Sequence, residues 1–220
     1  MRKLTGAVFQ SLDAVMQAPG GPEEDPAGNF KLGGWSFHFW DESLEKSFGP
    51  VIDAEYDLLL GKRTYDIFAG FWPTHQDQPI GAKFQRINKY VLTHSEARLE
   101  WENSHRLSGD TAQAVTELKS NDGRDLLIQG SSTLYAPLLA AGLIDRLVVM
   151  TFPVLLGGGK SIFDGLDASG SLKLVESAVT DKGVVFAAYE PAGEVPVGSF
   201  AEPETDSEQL ARQERMIEEE

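Results

Sequence analysis

The stretch Asp125–Phe163, DLLIQGSSTLYAPLLAAGLIDRLVVMTFPVLLGGGKSIF, decides how the chain is read. Leu126, Leu127 and Ile128 form a short apolar run that stops at Gly130, the pattern of a buried strand ending at a turn. Ser131 to Ala141 carries a helical pattern, with Ser131 or Ser132 placed to cap its first free N–H groups and Gly142 to close it. Asp145 to Pro153 returns as a second strand. Strand, small-residue turn, helix and strand together predict a parallel crossover. The turn after the first strand of such a unit faces a ligand crevice. A glycine there allows close backbone approach, and the helix N-terminus favours an anion such as phosphate.

Upstream, two more strand ends carry the same chemistry. Asp57–Leu60 is a buried strand stopped by Gly61, and Lys62-Arg63-Thr64 opens the helix that follows. Tyr90–Thr93 is another strand, followed by His94 and Ser95. In a mostly parallel sheet the carboxyl ends share one edge, so the turns at Gly61–Thr64, Thr93–Ser95 and Gly130–Thr133 are expected to converge on one ligand. A dinucleotide fits, its pyrophosphate against helix N-termini and an extra ribose phosphate against Lys62 or Arg63. A second glycine-rich loop, Gly157-Gly158-Gly159-Lys160, follows the strand at Pro153 and makes Gly157 and Gly158 further candidates for close backbone approach.

The remaining elements frame this core. Lys3–Ser11 predicts a first strand, Asp41–Ala54 a helix capped by Asp41 and disturbed by Pro50, and Asp110–Lys119 another helix. Leu172–Thr180 and Gly183–Tyr189 predict a hairpin around Asp181-Lys182-Gly183. Met16–Gly34 is too rich in Gly and Pro for a regular element and has the length of a binding flap or a disordered connector. Trp35, Phe37, Phe39 and Trp40 follow at once, either lining a pocket for a flat ligand or anchoring the loop to the core.

Composition narrows the function. The 220 residues suit one domain, and a net charge of −15 argues against polyanionic nucleic acid as a partner. Residues 194–220 hold nine acidic and two basic residues, so an acidic tail, disordered or partly helical over 208–217, is expected from about residue 191. No apolar run approaches membrane-spanning length and MRKLTGAVFQ lacks a signal-peptide core, which points to a cytoplasmic protein without membrane contact. With no cysteine, disulfides and thiolate chemistry are excluded, and the four histidines show no metal-ligand spacing. The chain has no GxGxxG after the first strand, no Walker loop and no GxSxG nucleophile elbow.

The set SLDAVMQAPGG (11–21), LLLGKRTYDIFAGFWP (58–73), KYVLTHS (89–95), LLIQGSSTLYAPLLAAGLIDRLVV (126–149) and PVLLGGGKSIF (153–163) resembles the bacterial dihydrofolate-reductase-like proteins. These share a fold with the reductase domain of the bifunctional riboflavin-biosynthesis deaminase/reductase. The resemblance implies an α/β fold over residues 1–190, with a central, mostly parallel sheet, a C-terminal antiparallel hairpin and helices on both faces. It also implies an NADPH-dependent reductase passing a hydride to a small pterin- or aminopyrimidine-like heterocycle, and a homodimer. Gly61, Lys62, Arg63 and Thr64 match its phosphate-binding turn, Thr93 and Ser95 a hydroxyl-bearing turn, and Gly130, Ser131, Ser132 and Thr133 the turn under pyrophosphate and nicotinamide. The acidic side chain that anchors the heterocycle would be Asp41, with Asp13 second. The alternative is a nucleotide-binding protein of the same fold without turnover.

Overall fold

The middle of the sheet falls to β1 (Leu4–Ser11), which pairs in parallel with β5 (Asp125–Gln129) on one side and β6 (Arg146–Phe152) on the other. The predicted crossover therefore forms with β1 inserted between its two strands. Outward from β5 run β2 (Tyr56–Gly61), β3 (Lys89–Leu92) and β4 (Ser104–Leu107), all parallel. Outward from β6 the direction reverses: β8 (Val185–Pro191) pairs antiparallel with it, and β7 (Leu172–Val179) antiparallel with β8. The order is β4-β3-β2-β5-β1-β6-β8-β7. The computed structural model describes residues 1–198, 200 and 214–216. The acidic tail expected from the sequence lies mostly outside the described residues; 214–216, within it, are helical and exposed.

Burial explains why the strands read as continuous apolar runs. Every residue of β2 is buried, and Leu58 and Leu60 pack on one face of the sheet while Leu59 packs on the other. The first face is covered by α1 (Glu42–Asp53), α2 (Lys62–Phe71) and α3 (Pro79–Arg86), through Leu44, Phe48, Tyr65 and Phe84. The second is covered by α4 (Thr111–Ser120) and α5 (Ser132–Ala140), through Val115, Leu118, Leu134 and Leu138. This is the mostly parallel sheet with helices on both faces and a C-terminal hairpin that the sequence implies.

Pro50 neither splits nor restarts α1, which runs on to Asp53 with that proline on its exposed side. α3 and β4 are not among the elements expected from the sequence. Only Gly81 and Phe84 of α3 are buried, and Ser104–Leu107 is a polar, partly exposed edge strand, so neither shows a clear apolar period.

The amino ends of the strands are tied by buried polar groups. Arg2 Nη2 meets the Asp57 carboxylate at 2.7 Å with both side chains almost fully buried, and Asp57 also accepts from Asn88 N–H at 3.1 Å. Lys89, fully buried, donates to the Phe84 carbonyl at 2.8 Å at the end of α3 and lies 4.4 Å from the Trp101 ring. Burial pushes its amine down to about 8, against a weaker upward pull from Glu102 and Asp57. An unfolded lysine titrates at about 10.4, so between pH 8 and 10 the unfolded chain holds a proton that the folded chain has released. Stability from this group therefore rises with pH across that window. Urea unfolding of the wild type and Lys89→Met at pH 7, 8.5 and 10 should show the wild type gaining on the variant, with a slope of at most ~1.4 kcal/mol per pH unit. A constant difference across the series would refute this account of Lys89.

Candidate active site

β2 and β5 are neighbours, so the turns that follow them lie side by side at the carboxyl edge of the sheet. Gly61 N–H donates to Ser131 Oγ at 2.8 Å, and Ser131 N–H donates to Thr64 Oγ1 at 2.9 Å. Each turn thus supplies the other with an acceptor. Of Ser131 and Ser132, expected as alternatives for the helix cap, Ser131 takes the N-cap position of α5 with φ 62°, but it makes no side-chain capping bond and spends its hydroxyl on the opposite turn. Gly130 precedes it with φ 82°, and a Cβ there would lie 3.0 Å from Thr64 Cγ2.

These turns form one wall of a cavity of about 700 Å³. Its polar lining includes Arg63, Thr64, Gly130 to Thr133, Gln17 and Lys160. Its apolar lining includes Phe9 from β1, Phe48 and Ile52 from α1, Phe68 from α2, Trp72 and Ile80. Gln129, the last residue of β5, also lines it, and its buried Oε1 finds no hydrogen-bond partner among the described residues. A cavity lined by aromatic rings together with hydroxyls, amides and cations suits a planar ring carrying a phosphorylated extension.

The Gly- and Pro-rich stretch after β1 is a folded strap. Gln17 Nε2 donates to the carbonyls of Asp25 and Ala27 at 2.9 and 2.8 Å, Trp35 Nε1 donates to the Gln17 carbonyl at 2.8 Å, and Ser36 Oγ donates to the Pro19 carbonyl at 2.8 Å. Such inward-turned side chains and backbone contacts make an Ω-like loop. Met16 to Gly20, Glu24 and Asp25 line the cavity, which makes the strap one of its walls. The aromatics that follow divide between the two roles left open by the sequence. Trp40 lines the cavity, Trp35 and Phe39 pack on Phe152, and Phe37 is exposed.

Charge at the site is concentrated at the strap. The Asp25 carboxylate lies 3.2 Å from Arg63 Nη1 with one oxygen and bonds Lys160 Nζ with the other. Burial pushes its carboxyl upward, but the Lys160 bond, the Ala27 amide and the charges of Lys160 and Arg63 outweigh this and hold it below the usual range. Beside it Glu24 is raised by burial, although the Gly20 and Gly21 amides donate to it at 2.6 and 3.1 Å. Glu45 from α1 also reaches the cavity, at its exposed side, where it accepts from Trp40 Nε1 at 2.9 Å.

Of the residues singled out in the sequence, Gly61, Arg63, Thr64, Gly130, Ser131, Ser132 and Thr133 meet in this cavity. Lys62 lies just outside it, paired with Asp66 at 2.6 Å along α2. Thr93 and Ser95 stand on the same edge beside Gly61 but outside the cavity lining; Thr93 Oγ1 accepts from Ser95 N–H at 3.0 Å and Ser95 Oγ from Ala97 N–H at 3.1 Å. Gly157 and Gly158 do not line it either, and the close approach in their loop is made by Gly159, where a Cβ would lie 2.5 Å from Val15.

The two aspartates are occupied elsewhere. Asp41 caps α1, accepting from Ser43 Oγ at 2.7 Å and Leu44 N–H at 2.8 Å, bonds that lower its carboxyl. Asp13 accepts from Ser11 Oγ at 2.5 Å and from Gly157 N–H at 2.8 Å, which lowers it likewise and pins the glycine loop to the end of β1. Besides the turn residues, Gln17, Asp25, Gln129, Glu45 and Lys160 join the cavity lining; in the sequence Gln17 and Asp25 fall within the Gly- and Pro-rich stretch 16–34, Gln129 precedes Gly130 and Lys160 follows three glycines, while Glu45 has no such neighbour.

The site is thus a cavity at the carboxyl edge of a mostly parallel α/β sheet, lined by aromatic and by polar residues. The family model for the RibD C-terminal domain matches residues 2–186, and the chain belongs to that family. It is 24% identical over 136 residues to the uncharacterized protein YyaP of Bacillus subtilis (strain 168), a match covering 60% of this chain and 72% of that one. Among solved structures it is similar to a candidate riboflavin biosynthesis protein from Shewanella sp. PV-4, with TM-score 0.62 and 21% identity over 87% of this chain and 99% of the other. Dihydrofolate reductase from Enterococcus faecalis, solved with NADP(H) and RAB-propyl, shares the fold at TM-score 0.54 and 17% identity, over 86% and 96% of the two chains.

Replacing Gly130 tests the cross-braced turn. Gly130→Ala combines an unfavourable positive φ with a contact against Thr64, and is expected to cost about 1–3 kcal/mol. Urea unfolding followed by tryptophan fluorescence should show a lower midpoint at unchanged slope. An unchanged midpoint would mean that the turn tolerates a side chain and that the approach to Thr64 is not a constraint.

Proposed function

We propose that the protein is an NADPH-dependent reductase that passes a hydride to a C=N or C=O carbon of a small, flat heterocycle of the pterin or aminopyrimidine kind. One observation carries this reading: the turns at Gly61–Thr64 and Gly130–Thr133, each opening a helix, are braced against each other at a single cavity. Helix N-termini with nearby cations are what a pyrophosphate needs. Gly130 lets the Thr64 side chain pack against its turn at that wall, and the orphaned Gln129 Oε1 is an acceptor suited to a ligand amide or amino group. The nicotinamide, when bound, supplies the hydride.

The chain's own residues would do the rest. Lys62, Arg63, Thr64 and the Gly130–Thr133 turn would hold phosphates, with Thr93 and Ser95 beside them along the edge. Phe48, Ile52 and Trp72 would stack the heterocycle and exclude water from the transfer. Because Asp41 and Asp13 are committed to loop and helix capping, the acid that meets the heterocycle is Glu45, one turn into α1 and on the cavity side.

Titrating the protein with NADPH and NADH while following tryptophan fluorescence checks the reading, since Trp40 and Trp72 line the cavity. NADPH should quench the signal and bind more tightly than NADH. Lys62→Ala/Arg63→Ala should weaken NADPH by about 1.5–3 kcal/mol while changing NADH little. If neither nucleotide binds, the reductase reading falls. If NADPH binds but no pterin or aminopyrimidine oxidises it, the protein is the nucleotide binder without turnover.

The same reading includes a homodimer. β7 is the outermost strand, and nearly all its residues are exposed, Leu172, Leu174, Val175 and Val179 among them. An apolar edge strand of this length is normally covered. Sedimentation equilibrium at micromolar concentration should give the mass of two chains, and Leu174→Lys/Val179→Lys should return one. A single-chain mass for the wild type would remove the dimer.

A further inference from the structure

Asp25 holds an unusual position for a loop carboxylate. Its side chain is only 8% exposed, and its two oxygens face two different cations from two different elements. Arg63 comes from the first turn of α2, and Lys160 from the glycine loop after β6. Among the described residues neither cation has another carboxylate partner. All three residues line the cavity, beside the braced turns. A carboxylate held between a guanidinium and an ammonium presents two charged oxygens at one edge, as a phosphate does.

Asp25 is joined to its own strap and to the rest of the fold by different contacts. Of its backbone contacts, Ala27 N–H to Asp25 Oδ1 at 3.2 Å and Gln17 Nε2 to the Asp25 carbonyl at 2.9 Å are internal to the strap. The links from Asp25 to the rest of the fold are the two ion pairs. Anything that competes for those cations therefore competes with the closed strap.

We propose that Arg63 and Lys160 form a phosphate subsite of this cavity, and that Asp25 is its internal occupant, displaced when a phosphorylated ligand binds. This deepens the nucleotide reading by adding Lys160 to the binding residues and by making the strap a competitor of the ligand. The phosphate belongs to the cofactor or to the substrate, and competition between the two separates these sources.

Calorimetric titration of the full chain with inorganic pyrophosphate, and separately with NADPH, tests the subsite. Asp25→Asn keeps an acceptor for Ala27 N–H but removes the charge. It should bind pyrophosphate at least about tenfold more tightly than the wild type, the factor that one charge-assisted contact supplies. Adding Lys160→Gln should erase that gain. An equal gain for NADPH, with NADPH and pyrophosphate excluding each other, assigns the phosphate to the cofactor; simultaneous binding of the two assigns it to the substrate. A gain for pyrophosphate without any NADPH binding removes the reductase reading and leaves the subsite standing. Unchanged affinity in Asp25→Asn, a gain that survives Lys160→Gln, or no pyrophosphate binding by either protein overturns the proposal. Hydrogen exchange on the wild type is independent of any variant. Saturating pyrophosphate should speed exchange of the amides over residues 20–27 severalfold, and slowed or unchanged exchange would equally overturn it.

Discussion

The two hydrogen bonds exchanged between the Gly61–Thr64 and Gly130–Thr133 turns are the constraint on which the site depends. They join the ends of adjacent parallel strands, where backbone pairing has stopped and the chain would otherwise leave the sheet in two directions. Satisfying the Gly61 and Ser131 amides with side-chain oxygens fixes the start of α2 against the start of α5. The left-handed Ser131 is disfavoured by roughly 1–2 kcal/mol, and two bonds of about 1 kcal/mol each offset that cost. The result is a rigid pair of helix N-termini, which is what pre-organised anion binding requires.

The rest of the cavity is assembled on that wall by loops pinned at the other end of the edge. Asp13 ties the end of β1 to Leu156 and Gly157, while Met16 N–H donates to the Lys160 carbonyl at 2.8 Å. Gly159 must lie against Val15 for this to happen, which accounts for one of the three consecutive glycines by close packing. Lys160 is thereby carried to the cavity from a strand two places away from β5. Asp13 is thus a positioning residue for a cation.

The fold was legible because its strands are buried on both sides. Leu58–Leu60 and Leu126–Ile128 stand out as apolar runs closed by Gly61 and Gly130, and the helices between them begin at once. β4 was not legible, since an edge strand reading Ser-His-Arg-Leu has no apolar face to show. The polar wall of the site was readable because small residues after a strand have a local cause. Its remaining members were not, because the Gly- and Pro-rich stretch around Asp25 does not single out that residue and nothing near Glu45 marks it. Asp25 becomes notable only when residues 38 and 135 positions away arrive beside it. Asp41 was the natural choice for a catalytic acid by position, yet a helix start has a prior local use for an aspartate.

The overall charge bears on why the cations are gathered so tightly. A chain of net charge −15 repels an anionic ligand at long range. At physiological ionic strength charges beyond roughly 8 Å are largely screened, so the repulsion shapes the approach more than the bound state. Inside the cavity the balance is set by Arg63, Lys160 and the groups they touch. With Asp25 between them, two cations meet one anion, and the cluster is left with one positive charge beside two helix N-termini. A phosphate carrying more charge than one carboxylate gains more from the same pair of cations and from the helix termini. That difference in charge favours a phosphorylated ligand over the strap, while the short tether of Asp25 to its own loop favours reclosure once the ligand leaves.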